Sequence, residues 1–378
     1  MKIGFDAKRV FHNFRGLGNY SRTLVDGLME YYPGDDYHLY TPAFGDFRSL
    51  DWHKDHPTAK VHTPENFLAK LAHPLWRSFG LRGQILAEDL DIYHGLSHEI
   101  PFGLQEAKVK TVVTVHDLIF LRYPEFFPWV DRQTYRQKIK YATRAADCVV
   151  AVCQQTKQDL VDFMYVPESR IKVVYQSCSP AFYEAPVSSK KQAVLQKHGV
   201  TEPYVLTVGA LEPRKNTVAL VEAFGQIKDE VPHHLVIVGR GKWEYRKEVE
   251  AAIRASALTA RVKILQDVEN EDLPSFYAGA DMLAYPSHFE GFGIPIVEAQ
   301  FIGTPVVTST GSCFAESGGE AALYVDPKSS ESIADGMLKV LTSRDLHEQM
   351  AKRGRAHAQK FHLRETSKNV HQLYSGLL

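Results

Sequence analysis

The chain has 378 residues, 44% hydrophobic and 24% charged, with a formal net charge of -1. That length suits two domains of ordinary size, and near neutrality excludes a dedicated nucleic-acid binder, which would be basic. No run approaches the ~18 uninterrupted apolar residues of a membrane span, and the strand-like N-terminal segment Met1–Asp6 lacks the apolar run of a signal peptide. Cys148, Cys153, Cys178 and Cys313 form no CxxC pair, so they read as small buried hydrophobes in a reducing cytoplasm.

After the opening strand, Arg15-Gly16-Leu17-Gly18-Asn19-Tyr20 precedes a helical run that reaches Met29. Glycines permit close backbone approach and a helix N-terminus favours anions, but a tight turn explains this motif equally well. The dinucleotide fingerprint is not completed, because its third glycine position holds Ser21. Short apolar runs then predict strands at 112–115, 148–152 and 171–174 in the first half. Others follow at 204–208, 234–238, 262–265, 282–285 and 305–307. Strands of this kind, alternating with helical stretches such as 216–227, indicate parallel α/β architecture used twice. A Ser- and Pro-rich stretch from Gln176 to Pro203 breaks the rhythm. We therefore expect domains at 1–183 and 184–362, followed by a C-terminal helix within 363–378 that packs back on the first domain.

Open parallel sheets bind ligands beyond the carboxyl ends of their strands, so polar motifs in those positions are of interest. Thr114-Val115-His116-Asp117-Leu118 ends one buried-looking strand. His116 can hydrogen-bond a sugar hydroxyl, or form a structural pair with Asp117. Gly209-Ala210-Leu211-Glu212-Pro213-Arg214-Lys215-Asn216 follows the first strand of the second half. Arg214 offers a planar fork and Lys215 a compact charge, which together suit a diphosphate without a metal; a solvated turn is the plain alternative. Glu290-Gly291-Phe292-Gly293-Ile294-Pro295-Ile296-Val297-Glu298 brackets a glycine-rich loop with two acids and leads into a helix near Pro295. Backbone N–H groups at Phe292, Gly293 and Ile294 are then available to a ligand. The carboxylates suit sugar and ribose hydroxyls, and could also act as an acid/base pair.

These motifs resemble the retaining glycosyltransferases of the GT-B fold, over nearly the whole chain and most densely from Phe276 to Val307. The Gly-x-Leu-Glu-Pro-Arg-Lys-Asn and His-Asp-Leu segments are similar to bacterial polysaccharide mannosyltransferases. The resemblance implies two Rossmann-like domains facing across a deep cleft that holds a nucleoside-diphosphate sugar. It assigns Arg214 and Lys215 to the diphosphate, Glu290 to the transferred sugar and Glu298 to the ribose diol. Phe292–Ile294 backbone and Gly209 would contact the donor, Gly16 would close on the diphosphate, and His116 would hydrogen-bond the sugar. Many relatives carry Arg where this chain has Ala210, so Arg214 is expected to supply that charge.

The expected activity is metal-independent, retaining hexosyl transfer to a glycan or lipid-linked acceptor in surface polysaccharide synthesis. Mannose from GDP-mannose is the first choice and a UDP-sugar the next; no cofactor or metal is expected. A nucleotide-sugar epimerase and a non-catalytic sugar-nucleotide-binding module are the alternatives. Base selectivity is expected in the loops around Gly239–Gly241 and Gln266–Val268. Arg132, Arg136, Lys140 and Arg144 recur every fourth residue behind Phe126, Phe127 and Trp129. That stripe could hold an anionic membrane at the inner face, a lipid-diphosphate acceptor or only solvent.

Overall fold

A computed structural model of the chain describes residues 1–45, 47–64, 76 and 80–378. It divides into two compact units, Met1–Cys178 with Phe361–Leu378, and Ser179–Lys360. The division falls a few residues before the positions expected from the sequence.

The first unit holds β1 (Lys2–Asp6), β2 (Asp36–Tyr40), β3 (Lys60–His62), β4 (Ile92–Gly95), β5 (Lys110–Val115), β6 (Cys148–Ala151) and β7 (Ile171–Val173). They form a seven-stranded sheet in the order β3-β2-β1-β4-β5-β6-β7, all pairs parallel. The second unit holds β8 (Tyr204–Val208), β9 (His234–Val238), β10 (Val262–Leu265), β11 (Met282–Tyr285), β12 (Val306–Ser309) and β13 (Leu323–Val325). Its six-stranded parallel sheet runs β10-β9-β8-β11-β12-β13. Both orders are Rossmann-like and reverse once, between β1 and β4 and between β8 and β11, which is where such sheets open a crevice for ligands.

The apolar runs are strands because helices cover both sheet faces, so residues of either parity are buried. Ile3 and Phe5 lie in one cluster with Leu24, Val25 and Leu28 of helix Gly16–Tyr31. Val113, Val115 and Val149 lie in another with Ile139 and Ala142. In the second unit Val205, Leu235, Ile237 and Met282 pack with Leu220, Phe224 and Met337.

Helix Leu363–Ser375 belongs to the first unit and packs on helix Gly16–Tyr31. Gly27 permits that approach, because a Cβ there would lie 2.3 Å from Ser367 Oγ and 2.5 Å from Leu363 Cδ1. A buried polar chain fixes the contact. Tyr374 Oη lies 2.5 Å from His94 Nδ1, whose Nε2 is 2.8 Å from Thr114 Oγ1, and Tyr20 Oη is 3.1 Å from the same Thr114 oxygen. Burial holds His94 neutral by pushing its pKa down to about 3. All four cysteines are buried and unbridged, and Cys153 Sγ caps helix Gln154–Met164 by accepting from Thr156 N–H.

Candidate donor site

The turn after β8 and the loop after β11 issue from neighbouring strands at the point where the second sheet reverses. Gly209 (φ 154°) opens the first of them. A Cβ at Gly239 would sit 1.7 Å from Gly209 O, so β8 and β9 can end side by side only with glycine there. Pro213–Lys215 forms a single 3-10 turn, and Asn216 follows in the left-handed region at φ 58°. Asn216 Nδ2 donates to Pro286 O (3.1 Å) and Pro327 O (2.7 Å), and His288 N–H donates to Arg214 O (2.9 Å). The cationic turn and the acidic loop are therefore bolted together through their backbones.

The result is one buried charge cluster. Glu290 Oε2 lies 2.7 Å from Arg214 Nη1, and Glu290 Oε1 lies 2.7 Å from Lys215 Nζ. Arg214 also donates to Phe289 O (2.6 Å) and pairs with Glu212 (2.5 Å). Lys215 Nζ donates to Tyr285 Oη at 2.7 Å. Glu290 is only 7% exposed. Burial alone would raise its pKa, but Arg214 and Lys215 overcome this and hold it down at about 2. The same burial lowers the Lys215 pKa against the opposing pull of Glu290, so its charge depends on that partner. Ser312 Oγ and Cys313 Sγ both donate to Glu290 O, at 3.1 and 3.3 Å.

Gly293 (φ 86°) caps helix Ile294–Ile302, with Pro295 in the first turn. Phe292 and Gly293 are buried and Ile294 is half-buried. The opening N–H groups of such a helix have no partner within it. Glu298, one turn along, is half-buried. Its Oε2 accepts from Tyr277 Oη at 2.6 Å, yet desolvation still pushes its pKa up to about 7. The two acids of the motif thus sit in opposite electrostatic environments: Glu290 is held charged by cations, while Glu298 is poised to titrate near neutrality.

In the first unit His116 follows β5 and is 5% exposed. Its Nε2 lies 2.9 Å from Leu96 O, and Gln176 Nε2 lies 3.1 Å from its Nδ1. A carbonyl only accepts and an amide nitrogen only donates, so the ring is the neutral Nε2–H tautomer. Burial pushes its pKa down to about 3, in keeping with that form. Tyr20 packs edge-on against it at 4.6 Å between centroids. Both ring nitrogens are engaged, so His116 reaches a sugar hydroxyl only by releasing Gln176 or Leu96. Gly16 opens its helix with nothing within 4 Å of a hypothetical Cβ, whereas a Cβ at Gly18 would lie 1.5 Å from Asn13 O. Of the two glycines, Gly18 serves packing and Gly16 leaves room.

The loops expected to read the base also meet. Arg240 Nε donates to Gln266 O at 3.0 Å and its guanidinium pairs with Asp267. Sequence reasoning missed Tyr285, Tyr277, Ser312, Cys313, Asn216 and Gln176. Asn216, directly after Arg-Lys and suited to the left-handed region, and Tyr285, ending the strand that leads into the Glu290 loop, carried readable signals; Tyr277, Ser312, Cys313 and Gln176 come from more distant segments.

Residues 190–357 match the family model described as glycosyl transferases group 1, and residues 14–180 match glycosyltransferase family 4. The chain is a glycosyltransferase. Among curated relatives, the glycosyltransferase is 29% identical to O-antigen chain mannosyltransferase B of Escherichia coli, over 96% of each chain. It is also 29% identical to O-antigen chain mannosyltransferase RfbU of Salmonella typhimurium, over 58% of each chain. Its fold matches Anabaena HepE solved with UDP and glucose, at a TM-score of 0.76, 23% identity and full coverage of both chains. It also matches sucrose-phosphate synthase from Thermosynechococcus elongatus, at a TM-score of 0.79, 20% identity and coverage of 100% and 99%. The glycosyltransferase therefore has the two-domain Rossmann-like GT-B fold, and the epimerase and binding-module readings are not favoured. Among the described residues no helix is long and apolar enough to cross a membrane.

Proposed function

We propose that this glycosyltransferase moves mannose from GDP-mannose to a glycan or lipid-linked acceptor during surface polysaccharide synthesis, with retention at the anomeric carbon. The observation that carries the reading is the Arg214–Glu290–Lys215 cluster at the reversal of the second sheet. The mannosyltransferase relatives favour mannose; a UDP-sugar is the alternative donor, favoured by UDP in HepE.

The two cations are balanced by Glu290 and Glu212. A donor diphosphate brings new negative charge, to which Arg214 and Lys215 turn, while Glu290 exchanges cation contacts for hydroxyls of the sugar. Glu298 accepts from the ribose diol, and Phe292–Ile294 N–H groups and the Gly209 turn face the donor. The anomeric C–O bond breaks and the nucleoside diphosphate departs, its charge met by Arg214 and Lys215. The acceptor hydroxyl attacks the same face and passes its proton to a departing phosphate oxygen. Two half-buried cations supply the neutralisation for which other enzymes use Mg²⁺. Adding Mg²⁺ or Mn²⁺ to chelator-treated enzyme should therefore leave kcat unchanged.

Thermal shift against a panel of nucleotide sugars tests the donor, and NMR of the product's anomeric configuration tests retention. Combined Arg214→Ala and Lys215→Ala should abolish measurable turnover, and near-normal turnover would reject the diphosphate assignment.

The acceptor side has a candidate surface in helix Trp129–Ala145. Trp129 and Val130 are each 65% exposed, and Arg136, Lys140 and Arg144 are exposed along the same helix. Aromatic residues beside basic ones suit an anionic membrane at the inner face. Charge reversal at Arg132 and Arg136 should reduce co-sedimentation with anionic liposomes; unchanged partitioning removes the idea.

A further inference from the structure

At the outer edge of the first sheet, three side chains from separate segments converge: His38 on β2, His62 on β3 and Glu88 just after helix Leu81–Ala87. One ligand-capable atom from each lies within 4.8 Å of the others. His38 Nδ1 is 3.0 Å from His62 Nε2, and the two rings are within 5° of parallel. Glu88 Oε2 lies 3.6 Å from His38 Nδ1, and Glu88 Oε1 lies 3.9 Å from His62 Nδ1. Behind His38, Asp36 Oδ2 stands 3.3 Å from Nε2 and is itself held by Lys60 Nζ at 2.6 Å. Tyr40 stacks on His62 with centroids 4.6 Å apart. None of these residues belongs to the donor site.

Two neutral rings satisfy this arrangement poorly. With a proton on His38 Nε2 facing Asp36, His38 Nδ1 is an acceptor. Neutral His62 must then donate from Nε2, so its Nδ1 is bare toward Glu88, and only a second proton on that ring or a bound cation supplies what the carboxylate lacks. A divalent metal between the rings removes the conflict. His38 binds it through Nδ1 and keeps Nε2–H on Asp36. His62 binds it through Nε2 and turns Nδ1–H toward Glu88 Oε1, while Glu88 Oε2 becomes the third ligand. A carboxylate behind a metal-bound histidine is the usual orienting partner. Tetrahedral zinc with nitrogen ligands at ~2.05 Å separates neighbouring donor atoms by roughly 3.3 Å. The observed 3.0 and 3.6 Å bracket that value.

We propose that His38, His62 and Glu88 form a zinc site, with water in the fourth position and Asp36 orienting His38. Two imidazoles and one carboxylate suit zinc better than magnesium or calcium, which prefer oxygen ligands. The site would clamp edge strand β3 and the end of helix Leu81–Ala87 to β2, which stabilises the fold rather than the chemistry.

The test uses the full chain, stripped with chelator and titrated with zinc against a chromogenic competitor, then with cobalt. Wild type should take up one equivalent of zinc, show the intense visible bands of tetrahedral cobalt, and melt at higher temperature with zinc present. His62→Ala and Glu88→Gln, checked for native circular dichroism, should weaken uptake by at least about tenfold and lose the zinc-dependent rise in melting temperature. Absence of stoichiometric uptake by the wild type overturns the proposal, as does uptake that neither variant alters.

Discussion

Glu298 should make donor binding depend on pH in a calculable way. Its carboxyl is half-buried, with Tyr277 Oη at 2.6 Å, and desolvation places its pKa at about 7. A ribose diol donates two hydrogen bonds, so it needs the ionised form. Affinity then follows the ionised fraction, which is most of the population at pH 8 and about one per cent at pH 5, a loss of about 90-fold or ~2.7 kcal/mol. A nucleotide sugar is the proper probe, because its diphosphate diester does not titrate in this range. Calorimetric titration of wild type and Glu298→Gln with GDP-mannose from pH 5 to 8 separates Glu298 from histidines that titrate in both. Wild type should release close to one proton on binding at pH 6 and very little at pH 8; the variant should bind weakly with a much flatter profile. Equal slopes in the two proteins would remove Glu298 from the ribose site.

A stability consequence follows from the same shift. The folded pKa is raised from 4.5 to about 7. The stability this gives is complete below pH 4.5 and is lost as pH rises through about 7. Glu298→Gln should therefore be more stable than wild type at pH 8, by an amount on the order of 1–3 kcal/mol, and equal to it near pH 4. Denaturant midpoints that do not diverge with pH would contradict the burial argument.

Glu290→Gln removes the charge that balances Arg214 and Lys215. Arg214 keeps Glu212 and Phe289 O, and Lys215 keeps Tyr285, so the fold should survive with a loss of up to about 3–5 kcal/mol. Turnover should fall at least about 100-fold; a loss below fivefold in steady-state assays would dismiss its sugar-contacting role. Gly18→Ala drives a Cβ into Asn13 O and should cost about 1–3 kcal/mol, whereas Gly16→Ala meets nothing within 4 Å and should leave the melting temperature unchanged. Equal melting temperatures for the two variants would refute that contrast. Tyr374→Phe leaves His94 Nδ1 buried without that partner and should destabilise the chain by about 1–3 kcal/mol in urea titrations; an unchanged midpoint would mean that the chain of hydrogen bonds does not hold the C-terminal helix.

Most strands were legible in sequence because burial of both faces favours apolar runs such as Val205–Leu206 and Leu235–Val238. β2, β3, β4 and the three-residue β13 escaped that reading. β2 is Asp-Tyr-His-Leu-Tyr, β3 is Lys-Val-His, and β4 is Ile-Tyr-His-Gly, all interrupted by histidine or charge. The candidate donor motifs stood out for a different reason: glycine, proline and paired charges directly after a strand are where parallel sheets place ligand-binding loops.

What the sequence by itself determined, then, was the double parallel α/β plan, because local composition and spacing carry that information, and it singled out Arg214, Lys215, Glu290 and Glu298 as candidates. Only the tertiary structure decided how they are charged. Glu290 is held near pKa 2 and Glu298 near 7, because one acid meets two cations from the neighbouring strand's turn while desolvation outweighs the tyrosine hydroxyl at the other. The partners of His116, the His94–Tyr374 link and the His38–His62–Glu88 cluster were decided in the same way. Electrostatics and hydrogen bonding depend on distance in space, and chain separation alone does not encode it.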